Sequence, residues 1–174
     1  MLDINTLNQI NNTAIQNGCV IFGSDFICNF PINELAQNYR IDTPVYNRGI
    51  NGLKINESEY QFDNSVVSLS PGKIFICIGE NDVKEPDFDE KKFARQYDSL
   101  IKKMKRSMPA KIFIMSVVSA KQLDPLLLET AKNNKCGFID ISYSNNTYID
   151  AFEAIRFYLR SRPLNFCDAM NLGR

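Results

Sequence analysis

The residues of this 174-residue chain that could do chemistry gather in four short stretches. Three set glycine beside small polar groups: Gly23-Ser24-Asp25, Asn47-Arg48-Gly49-Ile50-Asn51-Gly52 and Gly79-Glu80-Asn81-Asp82. The fourth, Asp168-Ala169-Met170-Asn171, lies near the C-terminus. Ser24 offers a hydroxyl, and Asp25 a carboxylate that can act as a nucleophile or start a helix as its N-cap. Neither has a histidine to take a proton, because the chain contains none. That excludes a histidine base and a histidine metal ligand. Five cysteines stand at 19, 28, 77, 136 and 167, an odd number with no C-x-x-C pair. Cys28 and Cys167 flank the first and last stretches, but without histidine neither has an activating partner. Cys19 and Cys77 fall in apolar runs, where a free thiol acts as a small hydrophobe.

Elements must carry these stretches to one place. Cys19-Val20-Ile21-Phe22 and Lys73-Ile74-Phe75-Ile76-Cys77-Ile78 are short apolar runs that each end at a glycine. Runs apolar on both faces are expected of central parallel strands. Pro44–Asn47, Lys111–Val118 and Gly137–Ile141 supply three more strands. Helical spacing is read over 4–16, around Glu34-Leu35-Ala36, over 57–69, Asp89–Met108, Asp124–Asn134 and 147–160. Asp124 is taken as an N-cap, with Pro125 at the first helical position. Strands alternating with helices predict a five-stranded parallel sheet between helix layers. In such sheets sites form beyond the carboxyl ends of the strands. Residues 23–30, 49–53, 79–84, 119–123 and 142–146 are therefore the segments to inspect.

Composition narrows the partners. Lys plus Arg and Asp plus Glu are 20 each, so no net charge draws nucleic acid or an anionic membrane. The basic run Lys102–Arg106 sits late in a helix, where it complements the dipole. No signal peptide or membrane-spanning run is read. The thiols point to a reducing cytoplasm. Length and a 44% hydrophobic content predict one domain over residues 1–174.

In order and spacing the four stretches resemble the blocks of the SGNH, or GDSL-type, hydrolase superfamily. Gly79-Glu80-Asn81-Asp82 matches its G-x-N-D block, and Tyr46–Gly52 follows its second block closely. The resemblance runs from about residue 19 to the end and implies a flavodoxin-like three-layer α/β/α sandwich. Two positions depart from the family. Asp25 stands at the nucleophile position, with Ser24 one residue before it. Asn171 stands at the base position, while Asp168 matches the triad acid. An asparagine amide has no basic nitrogen at neutral pH, and losing members of such a unit costs orders of magnitude in rate. The resemblance also implies an oxyanion hole from the backbone N–H of residue 25, the backbone N–H of Gly52 and the amide of Asn81. On that reading the Asp25 carboxylate is itself the anion the hole binds. The chain ends three residues after Asn171, so the family's closing helix is expected to be missing.

Three readings follow. The first is a catalytically impaired esterase-like domain that binds a small ester or acyl ligand or has a regulatory role. The second is an active hydrolase on an ester or acylated carbohydrate, using Asp25 with Asp168, or Ser24. The third is an oligomerisation module pairing with its own copies. Asp25 and Asp168, close under the family geometry, could also recruit Mg²⁺ with Asp82 as third ligand, but no metal and no cofactor is assigned. Asn81 has an alternative role in satisfying loop backbone, and Arg48 in orienting its loop or binding an anion.

Overall fold

Residues 4–141 and 147–160 are described in the computed structural model. Five strands form one sheet: β1 (Cys19–Gly23), β2 (Val45–Gly49), β3 (Lys73–Cys77), β4 (Lys111–Met115) and β5 (Gly137–Ile139). Their order is β2-β1-β3-β4-β5, and every pair is parallel. This is the expected architecture. The three inner strands are almost wholly apolar, Cys-Val-Ile-Phe-Gly, Lys-Ile-Phe-Ile-Cys and Lys-Ile-Phe-Ile-Met. A strand covered by helices on both faces needs that composition. At the edge, β2 is half-buried along its whole length.

The helices are α1 (Ile4–Asn11), α2 (Asp25–Cys28), α3 (Ile32–Asn38), α4 (Ser58–Ser65), α5 (Glu90–Ser107), α6 (Asp124–Asn133) and α7 (Tyr148–Leu159). On one side α1 packs on α4, α4 on α5, and α5 on α6; α3 packs on α7 on the other. The longest, α5, shows how the sequence directs this. Asp89 accepts a hydrogen bond from the N–H of Lys92 at 3.0 Å, which caps its start. Phe93, Tyr97, Leu100, Ile101 and Met104 form a buried stripe at helical spacing. Lys105 and Arg106 lie in its last turn, favourable for the dipole as expected.

Local departures from the sequence reading have identifiable causes. Helix α1 stops at Asn11 rather than residue 16, because the N–H groups of Thr13 and Ala14 turn back to Ile10 and Asn11. Ile15, the last member of its predicted stripe, is therefore 67% exposed. The predicted helix over 57–69 is α4 flanked by two 3₁₀ turns, Ile55–Glu57 and Val67–Leu69. Asp124 is not an N-cap. A 3₁₀ turn over Lys121–Leu123 runs straight into α6, so Leu123 takes the cap position and Asp124 is already helical. No helix among the described residues is long and apolar enough to cross a membrane.

Candidate active site

The chain leaves β1 for one side of the sheet and returns at β3 toward the other. The carboxyl ends of these neighbours are the topological switch point, where such sheets bind ligands. Three of the four stretches meet there.

Ser24 leaves β1 with its N–H on the carbonyl of Cys77 in β3, at 3.2 Å. Its side chain is turned inward, only 1% exposed, and its hydroxyl donates to Glu80 Oε1 at 2.7 Å. The same oxygen accepts the N–H of Phe26 at 2.8 Å. Asp25, the first residue of α2, points the other way, and its Oδ1 accepts a hydrogen bond from the N–H of Gly52. Gly52 has φ +74°, a left-handed conformation that favours glycine.

The second stretch holds the geometry. Asn47 on β2 donates to the carbonyls of Ile27 at 2.8 Å and Phe30 at 3.0 Å, and its Oδ1 accepts the N–H of Gly49 at 2.8 Å. One amide thus ties α2 to the strand beside it. Gly49 lets them approach, since a Cβ there would lie 2.2 Å from the backbone nitrogen of Cys28. Arg48 is a loop-orienting residue. Its guanidinium donates to Ser65 O at 3.2 Å, Asn47 O at 2.7 Å and Asn11 Oδ1 at 2.5 Å. These bonds commit it to α1 and α4 rather than to an anion.

Asn81 and Asp82 follow Glu80. The amide nitrogen of Asn81 faces Leu53 O at 3.5 Å, while its oxygen accepts from Lys84 at 3.0 Å. It therefore serves loop backbone here, and the carboxylate of Asp25 meets Gly52 but not Asn81. Asp82, 7% exposed, accepts the N–H of Ile55 at 3.0 Å and so anchors the loop that carries Gly52. Asp168, Asn171 and Cys167 lie outside the described residues. Cys28 is exposed, and burial raises the thiol of Cys19 to about 11. Among the described residues no three histidine, cysteine or acidic side chains gather to hold a metal.

Glu80 was not singled out by the sequence. It occupies the unspecified position of the G-x-N-D block, and only the return of β3 beside β1 sets it against Ser24 and Phe26. The available signal was its place directly after the glycine that ends a buried strand.

Asp82 yields a test of the loop anchor. Asp82→Ala leaves a buried N–H without its acceptor and is expected to cost about 1–3 kcal/mol in urea unfolding. Burial pushes the Asp82 carboxyl above the usual aspartate range, against the lowering effect of its bond from Ile55. A carboxyl raised in the fold favours the protonated state. Its stabilising contribution is complete below about pH 4 and is lost as pH rises through the raised value. Asp82→Asn keeps an acceptor without the charge. Its stability relative to the unsubstituted chain is expected to improve between about pH 4 and pH 7. A difference that stays constant or shrinks over that interval contradicts the assignment.

Comparison with known proteins agrees with the geometry. A family model described as GDSL-like lipase/acylhydrolase matches residues 17–171. Among solved structures, a GDSL-like lipase from Bacteroides thetaiotaomicron is 19% identical with a TM-score of 0.65, covering 80% of this chain and 78% of its own. An acetyl xylan esterase is 16% identical with a TM-score of 0.65, covering 87% of this chain and 89% of its own. A mutant acetylxylan esterase from Geobacillus stearothermophilus is 16% identical with a TM-score of 0.59, covering 91% and 92%. No curated protein sequence matches the chain. At such identities the solved structures speak for the fold, and the family model, spanning nearly the whole chain, speaks for descent: this chain belongs to the GDSL-like lipase/acylhydrolase family.

Proposed function

We propose that this chain is a catalytically impaired member of its family that binds a small ester or acyl ligand without cleaving it efficiently. The observation that carries the reading is the bond from Gly52 N–H to the Asp25 carboxylate. A free N–H at that place would stabilise a developing oxyanion. Here a side chain of the same molecule already holds the negative charge. Asp25 at the nucleophile position, Asn171 at the base position and Asp168 as the retained acid leave no group that can deprotonate a hydroxyl as histidine does. The unpaired thiols of Cys19, Cys28, Cys77 and Cys136 support a reducing compartment.

A second reading rests on Ser24. Its hydroxyl lies 2.7 Å from a carboxylate, the separation of a nucleophile and its base. Against this, Ser24 is almost wholly buried, so an ester must displace part of the site to reach it. Acetylated carbohydrate is the substrate class for that reading, by analogy with the esterases of similar fold.

The two readings separate in an assay with p-nitrophenyl acetate. The first expects hydrolysis no faster than about tenfold above the protein-free rate, since a carboxylate without a histidine activates water or hydroxyl weakly. A rate proportional to protein that disappears in Ser24→Ala transfers the function to the second reading. A rate that disappears in Asp25→Ala shows instead that this aspartate is a working nucleophile or base.

A further inference from the structure

Among the described residues Phe26, Glu80, Val118, Ser119 and Tyr148 line a cavity of about 300 Å³. We propose that it is a binding site for a small organic ammonium group, with the Glu80 carboxylate as counter-ion. This goes beyond the acyl-ligand reading and does not depend on whether any ester is cleaved.

Among the described residues, donors reach one of the two oxygens of the Glu80 carboxylate. Glu80 is 8% exposed. A carboxylate removed from water needs hydrogen bonds and an opposite charge. Oε1 has two donors, the hydroxyl of Ser24 and the N–H of Phe26. No described residue donates to Oε2, and no described cation pairs with the group. The two donors fix the carboxylate through Oε1, and among the described residues Oε2 keeps its accepting capacity for the cavity.

The walls select the kind of cation. The rings of Phe26 and Tyr148 stand 5.2 Å apart between centroids, and Phe30 stacks on Tyr148 at 5.6 Å. Phe26 and Tyr148 of this cluster line the cavity, and the ring surface they present to it would attract an ammonium group through its quadrupole. Val118 adds apolar surface and Ser119 a hydroxyl that can accept one hydrogen bond from the ammonium. A hard metal ion such as Mg²⁺ or Ca²⁺ requires about six oxygen ligands, and the lining supplies one carboxylate and two hydroxyls. An anion is repelled by Glu80. The volume lies at the small end of ligand sites, which suits a compact amine.

The test is an NMR titration of amide signals with benzylammonium and its neutral counterpart benzyl alcohol. Benzylammonium is expected to shift Phe26, Glu80 and Ser119 saturably and to bind at least about tenfold more tightly than the alcohol. Glu80→Gln keeps an acceptor for Ser24 and Phe26 and should abolish that preference. Tyr148→Leu, at a half-buried position, should weaken ammonium binding several-fold and keeps the proposal testable if Glu80→Gln does not fold. Equal binding of the two probes overturns the proposal, as does a preference that survives both substitutions. Absence of saturable binding up to about 50 mM also overturns it. Mg²⁺ saturating the same signals in place of the amine would overturn the assignment to an organic cation.

Discussion

The double substitution Asp25→Ser with Asn171→His is expected to hydrolyse p-nitrophenyl acetate at least about a hundredfold faster than the unsubstituted chain. The first change acts twice. It withdraws the carboxylate that the N–H of Gly52 now holds, which frees a donor for an oxyanion. It also puts a hydroxyl at the first residue of α2, where the fold already points a side chain toward Gly52. The second change supplies the missing base, at the position that the family pattern pairs with Asp168. Nucleophile and base act as a unit, so each single substitution should recover less than about a tenth of the gain. A double variant that keeps its circular dichroism and melting transition but stays at the background rate would overturn the proposal that Asp25 blocks the oxyanion hole. The amide signal of Gly52 gives a direct check, because it should move on Asp25→Ala when its acceptor is lost.

Gly49→Ala is expected to be the most damaging single methyl group in the site region, at about 3–5 kcal/mol of unfolding free energy. The added Cβ would lie 2.2 Å from Cys28 N, 2.5 Å from Cys28 Cα and 2.5 Å from Ile27 C. All three are backbone atoms, so no rotamer change relieves the clash. Helix α2 must then move away from β2. Overpacking alone costs about 1–3 kcal/mol. Separation also stretches the bonds from Asn47 to Ile27 O and Phe30 O, each contributing about 0.5–1.5 kcal/mol. Gly52→Ala is the informative control. A Cβ there meets nothing within 4 Å, so only the left-handed φ opposes it, at about 1–2 kcal/mol. Urea midpoints measure both. A loss below about 1 kcal/mol for Gly49→Ala contradicts the close approach.

Much of the fold was legible because two periodicities carry it. Continuous apolar runs mark β1, β3 and β4, and a stripe at helical spacing marks α5. The boundaries were less legible. Leu123 caps α6 because a 3₁₀ turn precedes it, and the identity of Asp124 carries no trace of that turn. In the site, the family blocks point to Asp25 and Gly52, which are joined. They point also to Asn81, whose amide nitrogen lies 3.5 Å from Leu53 O. Residue type alone leaves Arg48 open between loop and anion, and its three acceptors decide for the loop.

The sequence by itself determined which chemistry is excluded. A chain without histidine has no imidazole base wherever its residues are placed, and the family resemblance puts that gap at Asn171 and a second departure at Asp25. It also determined the sheet, because apolar runs of strand length between helices have few other ways to bury themselves. Only the tertiary structure decided what the remaining groups do. Ser24 and Asp25 are adjacent, yet the turn out of β1 sends one inward to Glu80 and the other across to Gly52. Glu80 is 55 residues or more from both, and the parallel pairing of β1 with β3 is what brings it there. Hydrogen-bond partners this far apart in the chain are chosen by packing, so residue type and spacing alone do not reveal them.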